Sequence, residues 1–136
     1  MNKVFLVAGG SGGHLFPALS LFEQLKDYDT LILTDKRTEK YLKRFGMKYR
    51  KIITARLKIN FFLVFNLLKL FLSILENIAI IIKRKPDIII GFGGYTSIPT
   101  IIAAKILNKK IIIHEQNAVM GKTNRMLSKI AEIVAV

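Results

Sequence analysis

Short apolar runs alternate along this chain with stretches of helical periodicity. Val4–Ala8, Thr30–Thr34, Tyr49–Thr54, Ile88–Ile90, Lys110–Ile113 and Ile133–Val136 read as strands. Leu15–Leu25, Lys36–Phe45, a long segment from about Ile59 to Lys83, Ser97 to Leu107 and Lys122–Ile130 read as helices. Pro17 is tolerable if it falls in the first turn of its helix, Gly46 closes the second helix, and Pro86 breaks the long one. A repeated strand-then-helix order predicts an α/β fold with a doubly wound parallel sheet. With 136 residues there is material for one core and no visible linker or internal repeat.

Two glycine loops leave the ends of apolar runs: Gly9-Gly10-Ser11-Gly12-Gly13-His14 after Val4–Ala8, and Gly91-Phe92-Gly93-Gly94-Tyr95 after Ile88–Ile90. A glycine removes the Cβ that keeps a ligand off the backbone, and the N–H groups opening the next helix attract anions. Both loops therefore suit phosphate or pyrophosphate, at the carboxyl edge of the sheet where ligands of open α/β folds lie. His14 closes the first loop, where an imidazole could take a proton from a hydroxyl whose phosphate sits on the loop. A purely capping or packing role for His14 is the competing reading. His114-Glu115-Gln116-Asn117 follows the fifth strand and should reach the same edge, either as a sugar-binding loop or as a polar turn.

The long helix carries few polar residues between Phe61 and Ile82: Asn66, Lys69, Ser73, Glu76 and Asn77. That leaves more apolar face than packing on one sheet needs. Its length allows a span, but Lys69 and Glu76 near the centre each cost about 2.5–3.5 kcal/mol on insertion scales. A helix lying in a membrane surface, flanked by Arg56, Lys58, Lys83, Arg84 and Lys85, fits best; an internal or interface helix stays open.

Charge sharpens this reading. The net charge is +13, with ten basic residues against Glu39 alone between Lys36 and Lys58. Acidic lipid, a phosphorylated substrate or nucleic acid would answer such a field, and bias toward Ile, Lys and Asn competes as its cause. Nucleic acid is not expected, because the aromatics lie at apolar helical positions and not among the lysines where bases could stack. The apolar fraction of 51% supports a packed interior. Cysteine is absent, which removes disulfides and thiolate chemistry, and neither histidine has metal-ligand spacing, so no metal or cofactor is expected. The amino terminus is too short in apolar residues before the glycine loop for a secretory signal. No G-x-x-x-x-G-K-[ST] is present and G-x-G-x-x-G is incomplete, with Asp35 a weak mimic of a ribose-binding acid, so P-loop and dinucleotide chemistry fit poorly.

Three motifs in order, Val7–Leu19, Gly91–Pro99 and His114–Val119, together with Thr123-Asn124-Arg125, closely resemble the amino-terminal half of the MurG glycosyltransferases. The resemblance covers essentially the whole chain. It implies a Rossmann-like domain spanning residues 1–136, the acceptor side of a two-domain GT-B fold. It further implies transfer of N-acetylglucosamine from UDP-N-acetylglucosamine to the C4 hydroxyl of undecaprenyl-pyrophosphoryl-muramyl pentapeptide (lipid I), giving the peptidoglycan precursor lipid II at the cytoplasmic membrane face. By the same resemblance His14 matches a proposed base, and Ser11, Gly12, Gly13 and Asn117 match positions credited with the sugar nucleotide. Gly93, Gly94, Tyr95, Ser97, Glu115, Gln116 and Asn124 fall in the remaining substrate-binding motifs. An apolar patch ringed by bases corresponds to Val64, Phe65, Leu68, Phe71 and Leu72 with Lys58 and Lys69, implying an anionic membrane surface as partner. Ser11 stands where threonine is common, and Met120 replaces a frequent proline. The family's donor domain would follow Val136. Without it the expectation is an inactive half that needs a separate donor-domain chain, or a non-catalytic remnant or membrane-surface module binding lipid-linked pyrophosphate.

Overall fold

The computed structural model describes residues 2–56 and 58–136. Six parallel strands, β1 (Lys3–Val7), β2 (Asp29–Thr34), β3 (Tyr49–Lys51), β4 (Ile88–Gly91), β5 (Lys110–His114) and β6 (Ile133–Ala135), form one sheet in the order β3-β2-β1-β4-β5-β6. Helices α1 (Gly12–Gln24), α2 (Glu39–Arg44), α3 (Leu63–Arg84), α4 (Ser97–Ile106) and α5 (Lys122–Leu127) connect them. This is the expected doubly wound sheet. Strand order reverses between β1 and β4, where Val7 pairs with Gly91, so the two glycine loops emerge side by side.

Alternation along the strands divides the core in two. Phe5, Val7, Leu31, Leu33, Ile89, Ile111 and Ile113 pack with Ile80 and Ile81 of α3, Ile101 of α4 and Leu127 of α5. Val4, Leu6, Ala8 and Ile32 point the other way, against Leu15, Ala18 and Leu19 of α1 and Leu42 of α2. Each fully buried Leu or Ile contributes about 1.5–3 kcal/mol, so both faces must be covered.

Several boundaries differ from the periodicity, each for a local reason. Helix α1 starts inside the glycine loop at Gly12, which places Pro17 in the second turn and not the first. The hydrogen bond it cannot make is to the carbonyl of Gly13, four residues earlier. Strand β3 ends at Lys51: the Ile52 N–H still donates to the Thr34 carbonyl at 2.9 Å, but the Ile53 N–H turns to α3 and donates to Glu76 Oε2 at 2.8 Å, and its carbonyl accepts from Ser73 Oγ. Helix α2 begins only at Glu39, since the Asp35 side chain holds the preceding turn. Asn60 Oδ1 accepts from the Phe62 N–H at 3.0 Å, so residues 59–62 form turns and α3 starts at Leu63.

In α3 the polar stripe faces inward. Ser73 and Asn77 are fully buried; Asn77 Nδ2 donates to the Ser73 carbonyl at 2.8 Å, and its Oδ1 accepts from Thr100 Oγ1 of α4 at 2.7 Å. Outward stand Val64, Phe65, Leu68, Phe71, Leu72 and Leu75, all exposed. One half of this helix is therefore core, and the other is an apolar surface.

Candidate active site

At the carboxyl edge of the sheet the two glycine loops touch. A Cβ on Gly9 would lie 2.7 Å from Thr96 Oγ1, and one on Gly94 3.6 Å from the Gly9 carbonyl oxygen. Ser11 is the residue before α1, with extended backbone and a hydroxyl that caps nothing, and its carbonyl accepts from the N–H groups of His14 and Leu15. Ser11, Gly12 and Gly13 are exposed, so the first N–H groups of α1, which have no partner within a helix, face open space at the cleft.

His14 sits in the first turn of α1 with its ring against the second loop. Nδ1 lies 2.8 Å from the Phe92 carbonyl oxygen and 2.7 Å from the side-chain Nε2 of Gln116. A carbonyl only accepts, so Nδ1 carries the proton, and the Gln116 amide satisfies the site when its oxygen faces Nδ1. His14 Nε2 then holds a lone pair, and no described residue bonds to it. The missing side chains of Gly93 and Gly94 make room for the ring: a Cβ on either would come within 3.2 Å of it. Both glycines have positive φ, +93 and +71, so they are required twice over.

Glu115 organises the third loop from within. Its Oε1 accepts from the Asn117 N–H at 2.9 Å and from Asn117 Nδ2 at 2.8 Å; Oε2 accepts from the Gly121 N–H at 3.0 Å and from Asn124 Nδ2 at 2.9 Å. Burial works against its charge, but the bonds from Asn124, Asn117 and Gly121 outweigh it and lower the carboxyl to about 2. Both oxygens being spent, Glu115 positions Asn117, which is exposed, and Asn124, which is buried. Asn124 Oδ1 has no partner among the described residues and lies beside Gly93. A cleft of about 150 Å³ is lined by His14, Gly93, Gly94, Asn117, Lys122 and Asn124 among others.

Thus Ser11–His14, Gly93–Tyr95, Glu115–Asn117 and Asn124 are gathered on one edge. Ser97 is not open to the cleft: it is buried, and its hydroxyl donates to the Gly93 carbonyl at 2.8 Å, bracing the second loop. Of the residues assigned to a membrane patch, Val64, Phe65, Leu68, Lys69, Phe71 and Leu72 lie on α3 and Lys58 in the connection before it. Sequence reasoning missed the buried Asp35, set aside as a poor ribose acid. Its Oδ1 accepts from the N–H groups of Arg37 and Thr38, and its Oδ2 from Thr96 Oγ1 at 3.1 Å and Arg37 Nη2 at 3.0 Å. Burial opposes its charge, yet Arg37, Thr96 and Thr38 hold the carboxyl below the usual range. An Asp at a strand end, three residues before Thr38 and a helix, was the available sign of such a turn.

Residues 4–136 match the glycosyltransferase family 28 N-terminal domain. The chain belongs to that family. It is 38% identical over 138 residues to a protein of Rickettsia rickettsii (strain Sheila Smith) named UDP-N-acetylglucosamine--N-acetylmuramyl-(pentapeptide) pyrophosphoryl-undecaprenol N-acetylglucosamine transferase, covering 100% of this chain and 36% of the relative. A Wolbachia protein (subsp. Brugia malayi, strain TRS) of the same name is 40% identical over 136 residues, covering 97% and 38%. The crystal structure of Acinetobacter baumannii MurG superposes with a TM-score of 0.83 at 31% identity, covering 98% of this chain and 41% of that one. This chain therefore spans under half the length of these relatives.

Proposed function

We propose that this domain is the acceptor-side half of a glycosyltransferase that moves N-acetylglucosamine from UDP-N-acetylglucosamine to the C4 hydroxyl of lipid I, giving lipid II. The observation that carries the reading is His14: an imidazole whose Nδ1–H is tied to the Phe92 carbonyl, leaving Nε2 as a base at the junction of two loops with open N–H groups. In the proposed step Nε2 takes the proton of the acceptor hydroxyl as its oxygen bonds to the anomeric carbon of the donor sugar. The bond from that carbon to the donor's diphosphate breaks, and UDP leaves with the electron pair. General-base help of this kind is worth about 10²–10⁴-fold. The donor-binding remainder, by this reading, comes from polypeptide beyond these residues, in the same chain or in another.

The apolar face of α3 serves, in the same proposal, to dock the enzyme on an anionic membrane surface on the cytoplasmic side, where a lipid-linked acceptor is found. Val64 is 80% exposed and Phe65 64%, a surface that water does not favour. Lys58 and Lys69 are exposed beside it, and each such cation adds about 1 kcal/mol near anionic lipid. Only 22% of an apolar 18-residue stretch of this helix is buried in the domain. The test is transfer of radiolabelled sugar from UDP-N-acetylglucosamine to a lipid I analogue by the protein purified with whatever donor half accompanies it. Transfer supports the reading; binding of the lipid without transfer leaves a binding module.

A further inference from the structure

Two arginines from different connections meet on one aromatic ring. Arg37 comes from the turn after β2, Arg56 from the connection between β3 and α3, and Tyr95 from the second glycine loop. Their guanidinium carbons stand 4.8 Å and 5.1 Å from the Tyr95 ring centroid. Arg37 is pinned further by Asp35 and passes so close to Gly10 that a Cβ there would lie 2.6 Å from its Nη2. Arg56 has no carboxylate partner among the described residues and is exposed. Beside them a cleft of about 240 Å³ is lined by Gly10, Ser11, Gly12, Arg37 and Lys40 among others. Arg37, Lys40 and the open N–H groups of α1 thus face one space, with Arg56 held next to Arg37 on the Tyr95 ring, and Asp35 is buried beneath Arg37.

This concentration suits an anion carrying more than one charge over adjacent oxygens. Arginine forks pair with phosphate oxygens two at a time, and stacking on Tyr95 orders both forks before the ligand arrives. The direction of the ligand follows from the neighbouring chain. Ile59 and Phe61, 97% and 95% exposed, lie three and five residues beyond Arg56, within about 10–18 Å at extended-chain reach. They lead into the exposed apolar face of α3. An apolar chain attached to a phosphate at Arg56 would have a surface to follow; a nucleoside would not.

We propose that Arg37 and Arg56, held on Tyr95, form a clamp for the diphosphate of a lipid-linked acceptor. The inference rests on the acceptor-side reading above and assigns its diphosphate to side chains that the sequence showed only as part of a basic stretch. The test uses farnesyl diphosphate, inorganic pyrophosphate and UDP as probes, with wild type, Arg56→Gln, Arg56→Lys and Arg37→Gln compared by calorimetry. Arg56 is exposed, so its variants should melt as wild type does. The clamp predicts that Arg56→Gln weakens farnesyl diphosphate and pyrophosphate at least tenfold, matching loss of a charge-assisted pair. Arg56→Lys recovers only part, and UDP binding is unchanged. Farnesyl diphosphate binding within twofold of wild type in both Gln variants overturns the clamp. Equal loss of UDP overturns the lipid-linked assignment and gives the site to the nucleotide. Wild-type protein that transfers no sugar even together with a donor half, but binds farnesyl diphosphate through Arg56, removes the proposed function and keeps the clamp.

Discussion

His14 and Phe92 are joined by a hydrogen bond of 2.8 Å from Nδ1 to a backbone carbonyl, although 77 residues separate them along the chain. That bond makes the start of α1 and the end of β4 a single unit. It also fixes which ring nitrogen is free, so the chemistry assigned to His14 depends on the second glycine loop keeping its shape.

Gly94→Ala tests that dependence. The residue has φ +71, and a Cβ would lie 3.2 Å from His14 Cδ2 and 3.4 Å from Nε2. We expect a stability loss of about 1 kcal/mol or more, from strain in the left-handed region, and a fall in turnover larger than the fall in donor affinity. Thermal melting and separate kcat and KM measurements check it. Unchanged kcat would detach the second loop from the base.

Glu115→Gln should destabilise the domain by about 1–3 kcal/mol, since a charged acceptor of four hydrogen bonds is replaced by an amide that must also donate. The pH dependence has a definite sign. The folded carboxyl titrates near 2 against an ordinary value of 4.5. Its stabilisation is therefore complete above about pH 4.5 and is lost as pH falls from there toward 2. Denaturant titrations across that window should show a shallower pH slope in Glu115→Gln than in wild type.

Phe65→Asp and Phe71→Asp should leave the melting temperature nearly unchanged, because both side chains are exposed, while abolishing binding to vesicles containing anionic lipid. Vesicle co-sedimentation at low and high salt measures it. Retained binding would move the docking surface away from α3.

Asn77→Ala should cost about 1–3 kcal/mol by leaving Thr100 Oγ1 and the Ser73 carbonyl short of a partner in the α3–α4 interface. Equilibrium unfolding checks it. A neutral result would mean that water replaces the amide.

The order of elements and the place of the glycine loops were legible in the sequence, because strands such as Phe5–Val7 and Ile88–Ile90 are continuously apolar and the loops interrupt them sharply. The excess apolar surface of the long helix was legible too. What was not legible was its facing: Ser73, Glu76 and Asn77 look like a solvent stripe, but they bond to Ile53, to one another and to Thr100, contacts made only by the fold. The candidate site shows the same division. His14, Gly93 and Gly94 announced themselves through local pattern. Arg37, Arg56 and Tyr95 come from three separate connections, so no local pattern marks their meeting. Glu115 and Ser97 were found by motif, yet their bonds show them bracing loops, a distinction that needs hydrogen-bond partners and not spacing.

The most direct test of the account is the turnover of His14→Ala, measured with UDP-N-acetylglucosamine and a lipid I analogue in a two-domain form that carries a donor half. If Nε2 of His14 is the base, kcat falls by roughly 10²-fold or more while the melting temperature and the KM for the donor stay close to those of wild type. Near-wild-type kcat in a folded His14→Ala variant would contradict it, and would leave the imidazole as a strut between α1 and the second glycine loop.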